Sequence, residues 1–82
     1  MTNLYRCRIN KNMTQRKLSE LSGVAISTIR NFEQDQRTIE KATLPVLLAL
    51  AEVLSVPIYR LLDDMDMANR LYRIEKSERF LI

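Results

Sequence analysis

One run of eighteen residues, Gln15 to Phe32, restricts the fold more than any other part of the chain. Counted from Gln15, a small residue, Ser19, stands at the fifth place and Gly23 at the ninth. Leu18, Val24, Ile29 and Phe32 hold the fourth, tenth, fifteenth and eighteenth. A small side chain lets two helices approach closely, and glycine turns the chain through the positive-φ region. The four apolar residues then pin the second helix to the first and to a core. The spacing predicts two short helices crossing steeply around Gly23.

The remaining sequence agrees with an all-helical domain. The chain has 82 residues, 46% hydrophobic and only 6% aromatic, with one Gly and two Pro, a composition that favours helix over sheet. That length fits one domain and excludes a two-domain enzyme. Histidine is absent and Cys7 is the single cysteine. No disulfide can close within the chain, and neither a His/Cys zinc site nor a Cys/His nucleophile pair is available. A lone thiol between Arg6 and Arg8 on an apolar phase is expected in the core, in a reducing compartment. The N-terminal residues contain no apolar stretch, and LPVLLALAEVLSV is broken by Glu52, so the expected location is cytoplasmic, away from membranes.

Turn signals divide the chain further. A first helix is expected from about Leu4 to Lys11, ended by Asn12, which accepts a left-handed conformation. Thr14 is the expected N-cap of the second helix, with Leu18 and Leu21 inward, and Gly23 its stop. A third helix, STIRNFEQ, follows. After a polar stretch, Thr43 is the expected cap of a fourth helix running to Leu54, with Pro45 in its first turn. Leucines surround most of that helix, which reads as a central helix covered on several sides. Ile58 to Leu62, after Pro57, reads as a short fifth helix.

Charge is unevenly distributed. The net is +3 overall, but residues 1–41 carry +4, residues 42–62 are neutral and residues 63–82 carry −1. The basic excess in the first half suits either a polyanion or a solvated face.

Two helices set around a glycine in this way form a helix-turn-helix, and MTQRKLSELSGVAISTIRNFEQ followed by LLALAEVLSVPIYRLL resembles the Cro and phage-repressor family of regulators, also called Xre. The resemblance covers about residues 3–62. It implies an all-α, five-helix lambda-repressor-like DNA-binding domain over residues 1–62, with residues 63–82 as a C-terminal extension. It also implies double-stranded DNA as partner, a homodimer with its contact near Val56 to Leu61, and no cofactor, metal or catalytic site. By the same resemblance, Gln15 bonds a DNA phosphate and buttresses the reading helix, with Thr14 setting the helix N-terminus beside that phosphate. Ile26, Ser27, Arg30 and Asn31 fall on the base-reading positions. Arg30 suits a guanine edge, Asn31 an adenine, Ser27 either a base or a phosphate, and an exposed Ile26 a thymine methyl. Arg8 and Glu33 fall on a structural ion pair.

Arg16 and Lys17 oppose the helix dipole in a first turn, which neighbouring phosphate would offset; a solvated face is the plainer alternative. Two departures from the family pattern bear on the site. Ala25 stands where a capping Ser or Thr is usual. Asp35 replaces a common glycine, in a loop two or three residues longer than usual that offers Arg37 and Lys41 to phosphates.

Beyond Leu62, Asp63, Asp64 and Asp66 read as a solvated boundary rather than a magnesium site. Met67, Leu71 and Ile74 fit a helical stripe, although YRIEKSERFLI suits a hairpin or an exchanged strand equally well. The apolar Phe80-Leu81-Ile82 needs cover from this domain, a twin subunit or another protein. That leaves a second functional reading open, an antitoxin-type interaction protein that binds a partner through its tail and autoregulates its operon.

Overall fold

The computed structural model describes residues 1–76, and every regular element among them is helical. Five α-helices, α1 (Asn3–Asn10), α2 (Gln15–Ser22), α3 (Ile26–Glu33), α4 (Leu44–Leu54) and α5 (Met65–Lys76), follow one another in chain order. Two connections contain 3-10 turns, Ile39–Lys41 and Ile58–Leu61.

Local chemistry explains most boundaries. Thr2 and Thr14 cap α1 and α2, their hydroxyl oxygens accepting from the amides of Tyr5 at 3.2 Å and Lys17 at 3.0 Å. Asn12 leaves α1 at φ +53° and Gly23 ends α2 at φ +75°. A Cβ on Gly23 would meet nothing within 4 Å, so backbone conformation rather than crowding requires the glycine. The turn is also wired by two serines. Ser19 donates to the Val24 carbonyl at 2.7 Å, and the Ser22 hydroxyl accepts from the Val24 amide at 3.1 Å. Ser19 therefore satisfies backbone as well as sparing space.

Leu4, Leu18, Ile29, Leu50, Leu54 and Leu61 form the fully buried centre, with Phe32 and Ile39 beside them. Leu21 does not join it and is more than half exposed, contrary to the expectation from its spacing. It lies about 60° round the helix from Leu18, off the narrow seam that two turns of helix bury. Cys7 is half-buried at the junction of α1 with the Ile58–Leu61 turn, while Leu4 and Arg8 make the inward face of α1.

Two expectations about the second half also change. α4 buries Leu47, Leu50, Ala51 and Leu54 but leaves Leu44 60% and Leu48 43% exposed, so one edge of the helix is uncovered among the described residues. Thr43 sits at its N-cap position without a side-chain bond, and Pro45 stands in the first turn, where a missing N–H costs little. The expected fifth helix at Ile58 to Leu62 is a 3-10 turn. Leu61 closes the turn and Leu62 leaves it in an extended conformation, and both are buried.

The acidic boundary is bonded rather than merely solvated. Glu40 Oε2 accepts from the amides of Asp63 at 2.5 Å and Asp64 at 2.8 Å. Asp63 accepts from the Asn3 amide at 2.8 Å, the Asn3 side chain donates to the Leu62 carbonyl at 2.7 Å, and Asp64 accepts from the Met67 amide to start α5. Among the described residues no acidic or thiol cluster could hold a metal ion. Of the conformations left open for the extension, the described part takes the helical one, over Met65–Lys76. Ala68 and Leu71 pack against the core, Tyr72 meets Tyr59 edge-on at 5.0 Å, and Glu75 accepts from the Tyr59 amide at 3.1 Å. Phe80-Leu81-Ile82 lies outside the described residues.

Candidate nucleic-acid interface

α3 has two distinct sides. Ile29 and Phe32 are buried, whereas Ser27 and Arg30 are exposed; Ile26 and Asn31 are half-buried. Ile26 is thus less open than the expectation of an exposed isoleucine required, yet it is not among the side chains packed on the core. Ala25, at the N-cap, makes no side-chain bond and Ser27 takes no cap role, so the first amides of α3 are left for solvent or a ligand. At the far end, Asp35 adopts φ +58°, which an aspartate tolerates in place of glycine. The amides of Gln36 and Arg37 both donate to the Asn31 carbonyl, at 2.8 and 3.2 Å, which fixes the connection tightly under α3.

A continuous set of hydrogen bonds joins α1, α2 and α3. The Arg8 guanidinium donates through Nε to Glu33 Oε2 at 2.7 Å and through its terminal nitrogens to Glu33 Oε1 at 2.9 Å and the Met13 carbonyl at 2.8 Å. The Glu33 side chain is only 4% exposed. Hydrogen bonding to Glu33 raises the Arg8 pKa above its ordinary value despite burial, which locks the charge on. Gln15 then donates from Nε2 to Glu33 Oε1 at 3.1 Å and accepts from Arg30 Nε at 3.4 Å through Oε1. Its amide is oriented at both ends by charged partners, one acidic and one basic. The role of Met13 as an acceptor left no trace in the sequence pattern, because any residue supplies a carbonyl.

The other residues expected to meet phosphates fall in two segments. Thr14, Arg16 and Lys17 are exposed at the start of α2; the Thr14 hydroxyl accepts from Lys17 and keeps its own proton free to donate. Arg37 and Lys41 are exposed in the connection after α3, with the Arg37 guanidinium 5.5 Å from the centre of the Phe32 ring. Among the described residues none of these four cations forms an ion pair.

A family model described as helix-turn-helix matches residues 4–61. The chain belongs to the Cro-type, Xre-like helix-turn-helix family. No curated protein and no solved structure matches it. As a helix-turn-helix protein it is a DNA-binding regulator, of a family that is typically non-enzymatic. The helix-turn-helix itself is α2 and α3, and α5 lies beyond the matched stretch. No helix among the described residues is long and apolar enough to cross a membrane.

Proposed function

We propose that this helix-turn-helix protein is a repressor that reads a palindromic operator as a homodimer, placing α3 of each copy in the major groove of one half-site. The observation that carries the reading is the bond from Arg30 to Gln15. It holds an exposed guanidinium on the outward side of α3 while Gln15 stands at the first turn of α2, beside the amides that would meet a phosphate. Arg30 forks onto a guanine edge, Asn31 and Ser27 take neighbouring base edges, and the exposed part of Ile26 meets a thymine methyl. Thr14, Gln15, Arg16 and Lys17 hold the backbone on one side of the groove, and Arg37 and Lys41 on the other. Repression follows from occupancy of the operator.

Selection from a random double-stranded DNA pool tests this. Enrichment of a palindrome with half-sites about one helical turn apart is the expected result. Failure of any sequence to enrich, with binding that depends only on salt, would remove the sequence-reading role.

A further inference from the structure

A cleft of about 520 Å³ opens between α1, the Ile58–Leu61 turn and the N-terminal half of α5. None of the residues that line it belongs to α2 or α3, so it is separate from the helices proposed to read DNA. Its volume falls within the range of about 300–1,000 Å³ that suits a small molecule.

Three cations line the cleft: Arg6 from α1, Lys11 from its C-cap and Arg60 from the turn. All three are exposed, and among the described residues none of them forms an ion pair. The Arg6 guanidinium donates to Asn3 Oδ1 at 3.5 Å, and the Asn3 side chain donates in turn to the Leu62 carbonyl at 2.7 Å, which ties Arg6 to the wall. Asp63 is the one carboxylate of the lining, and it already accepts from the Asn3 backbone amide at 2.8 Å. Three cations against one carboxylate leave an excess of two positive charges. A phosphate monoester, with a charge of about −1.5 to −2 at neutral pH, matches that excess better than a single carboxylate does. Guanidinium groups fork onto phosphate oxygens, and the lysine adds a point charge. The same lining includes buried Leu62 and half-buried Val56, Ala68 and Tyr59, which offer an organic group apolar contact.

We propose that this cleft binds a small phosphate monoester, its phosphate held by Arg6, Lys11 and Arg60 and its organic part laid against Val56, Tyr59 and Leu62. The site goes beyond DNA reading and uses none of the residues assigned to it. A ligand seated here joins α1 to the turn and to α5.

Cys7, the single cysteine of the chain, also lines the cleft and reports its occupancy. The test is the rate at which iodoacetamide, an uncharged reagent, alkylates Cys7 in the full chain at fixed pH, with sodium chloride at equal ionic strength as the reference. Phenyl phosphate is expected to cause a saturable loss of Cys7 reactivity, inorganic phosphate the same loss at higher concentration, and benzoate none beyond chloride. Arg60 acts electrostatically on the Cys7 thiol, so protection is read as the ratio of rates with and without the probe in each variant. Arg6→Gln and Arg60→Gln, both at exposed positions, are expected to keep the helical circular dichroism and to lose protection. Phenyl phosphate that protects no better than chloride, benzoate that protects equally well, or protection that survives both substitutions together overturns the proposal. A double-stranded oligonucleotide that protects Cys7 where phenyl phosphate does not would assign the cleft to the DNA backbone and overturn it as well. Sequence reading by α3 stands or falls separately, on selection from the random DNA pool.

Discussion

Glu33 is the side chain on which the other site residues depend, since it accepts from Arg8 twice and from Gln15 once. Replacing it by alanine leaves the Arg8 guanidinium buried without its counter-charge, and Glu33→Ala is expected to cost about 3–5 kcal/mol in urea denaturation. Gln15 and Arg30 divide differently. Arg30→Ala is expected to relax preference at one base position while leaving affinity for random DNA nearly unchanged. Gln15→Ala removes the proposed phosphate contact and also the bond to Arg30, so it should weaken binding to all sequences and loosen the same base preference. Competition assays against operator and random DNA distinguish the two, and an unchanged preference in Gln15→Ala would deny Gln15 its hold on Arg30. Cys7 responds to pH. Burial raises its thiol pKa, with nearby Arg60 opposing more weakly, so the folded state favours the protonated thiol. Its contribution to stability is therefore complete below the unfolded thiol's value of about 8.5 and falls as pH rises beyond that. Urea midpoints measured from pH 7 to 10 should decline more steeply for the parent than for Cys7→Ala.

The helix boundaries were the most readable feature of the sequence because they rest on local chemistry. Thr14, Gly23 and Asn12 act where their own side chains or backbone freedom dictate, independent of what packs nearby. Where the local rule is broken, a gain in stability is available. Ser55 ends α4 at φ +55°, a conformation that costs a non-glycine residue roughly 1 kcal/mol. Ser55→Gly is expected to recover most of that in thermal or urea unfolding. Ala25→Ser supplies α3 with the cap it lacks and should add about 1 kcal/mol. If it also lowers DNA affinity, the uncapped amides of α3 are in use by the nucleic acid. Leu21, Leu44 and Leu48 show the limit of local reading. Periodicity marks them as apolar, but only the placement of neighbouring helices decides whether a given edge is covered.

At the scale of the whole molecule, the proposed DNA-reading surface lies on α2, α3 and the connection after α3, and Glu40 ties that connection to the extension. Its carboxylate accepts the amides of both Asp63 and Asp64 in an exposed setting. Glu40→Ala is expected to destabilise α5 before the rest, read as faster amide exchange over Met65 to Lys76 with little change in α2 and α3. The basic half of the chain sets the response to salt. Each of Arg16→Ala and Lys17→Ala is expected to lower the slope of log affinity against log salt by about 1 if its cation meets a phosphate. A slope equal to that of the parent would return that residue to a solvated face. The Glu40 clamp was not readable in the sequence, because it joins residues far apart in the chain through a side chain that any polar surface carries; the family resemblance gave Gln15 as a buttress of the reading helix without giving Arg30 as its partner.

The sequence alone determined that the chain is helical, that two short helices cross around Gly23, and that Ile29 and Phe32 face inward while Ser27 and Arg30 do not. Those outcomes follow from periodicity and from the backbone demands of single residues, both of which are local. The tertiary structure decided that Ile58–Leu61 winds as a 3-10 turn, that the Asp63 and Asp64 amides are capped by Glu40, that one edge of α4 is open, and that α5 lays Ala68 and Leu71 against the core. Each of these depends on which surfaces meet, and a buried seam one or two residues wide is selected by global packing rather than by the residues it contains.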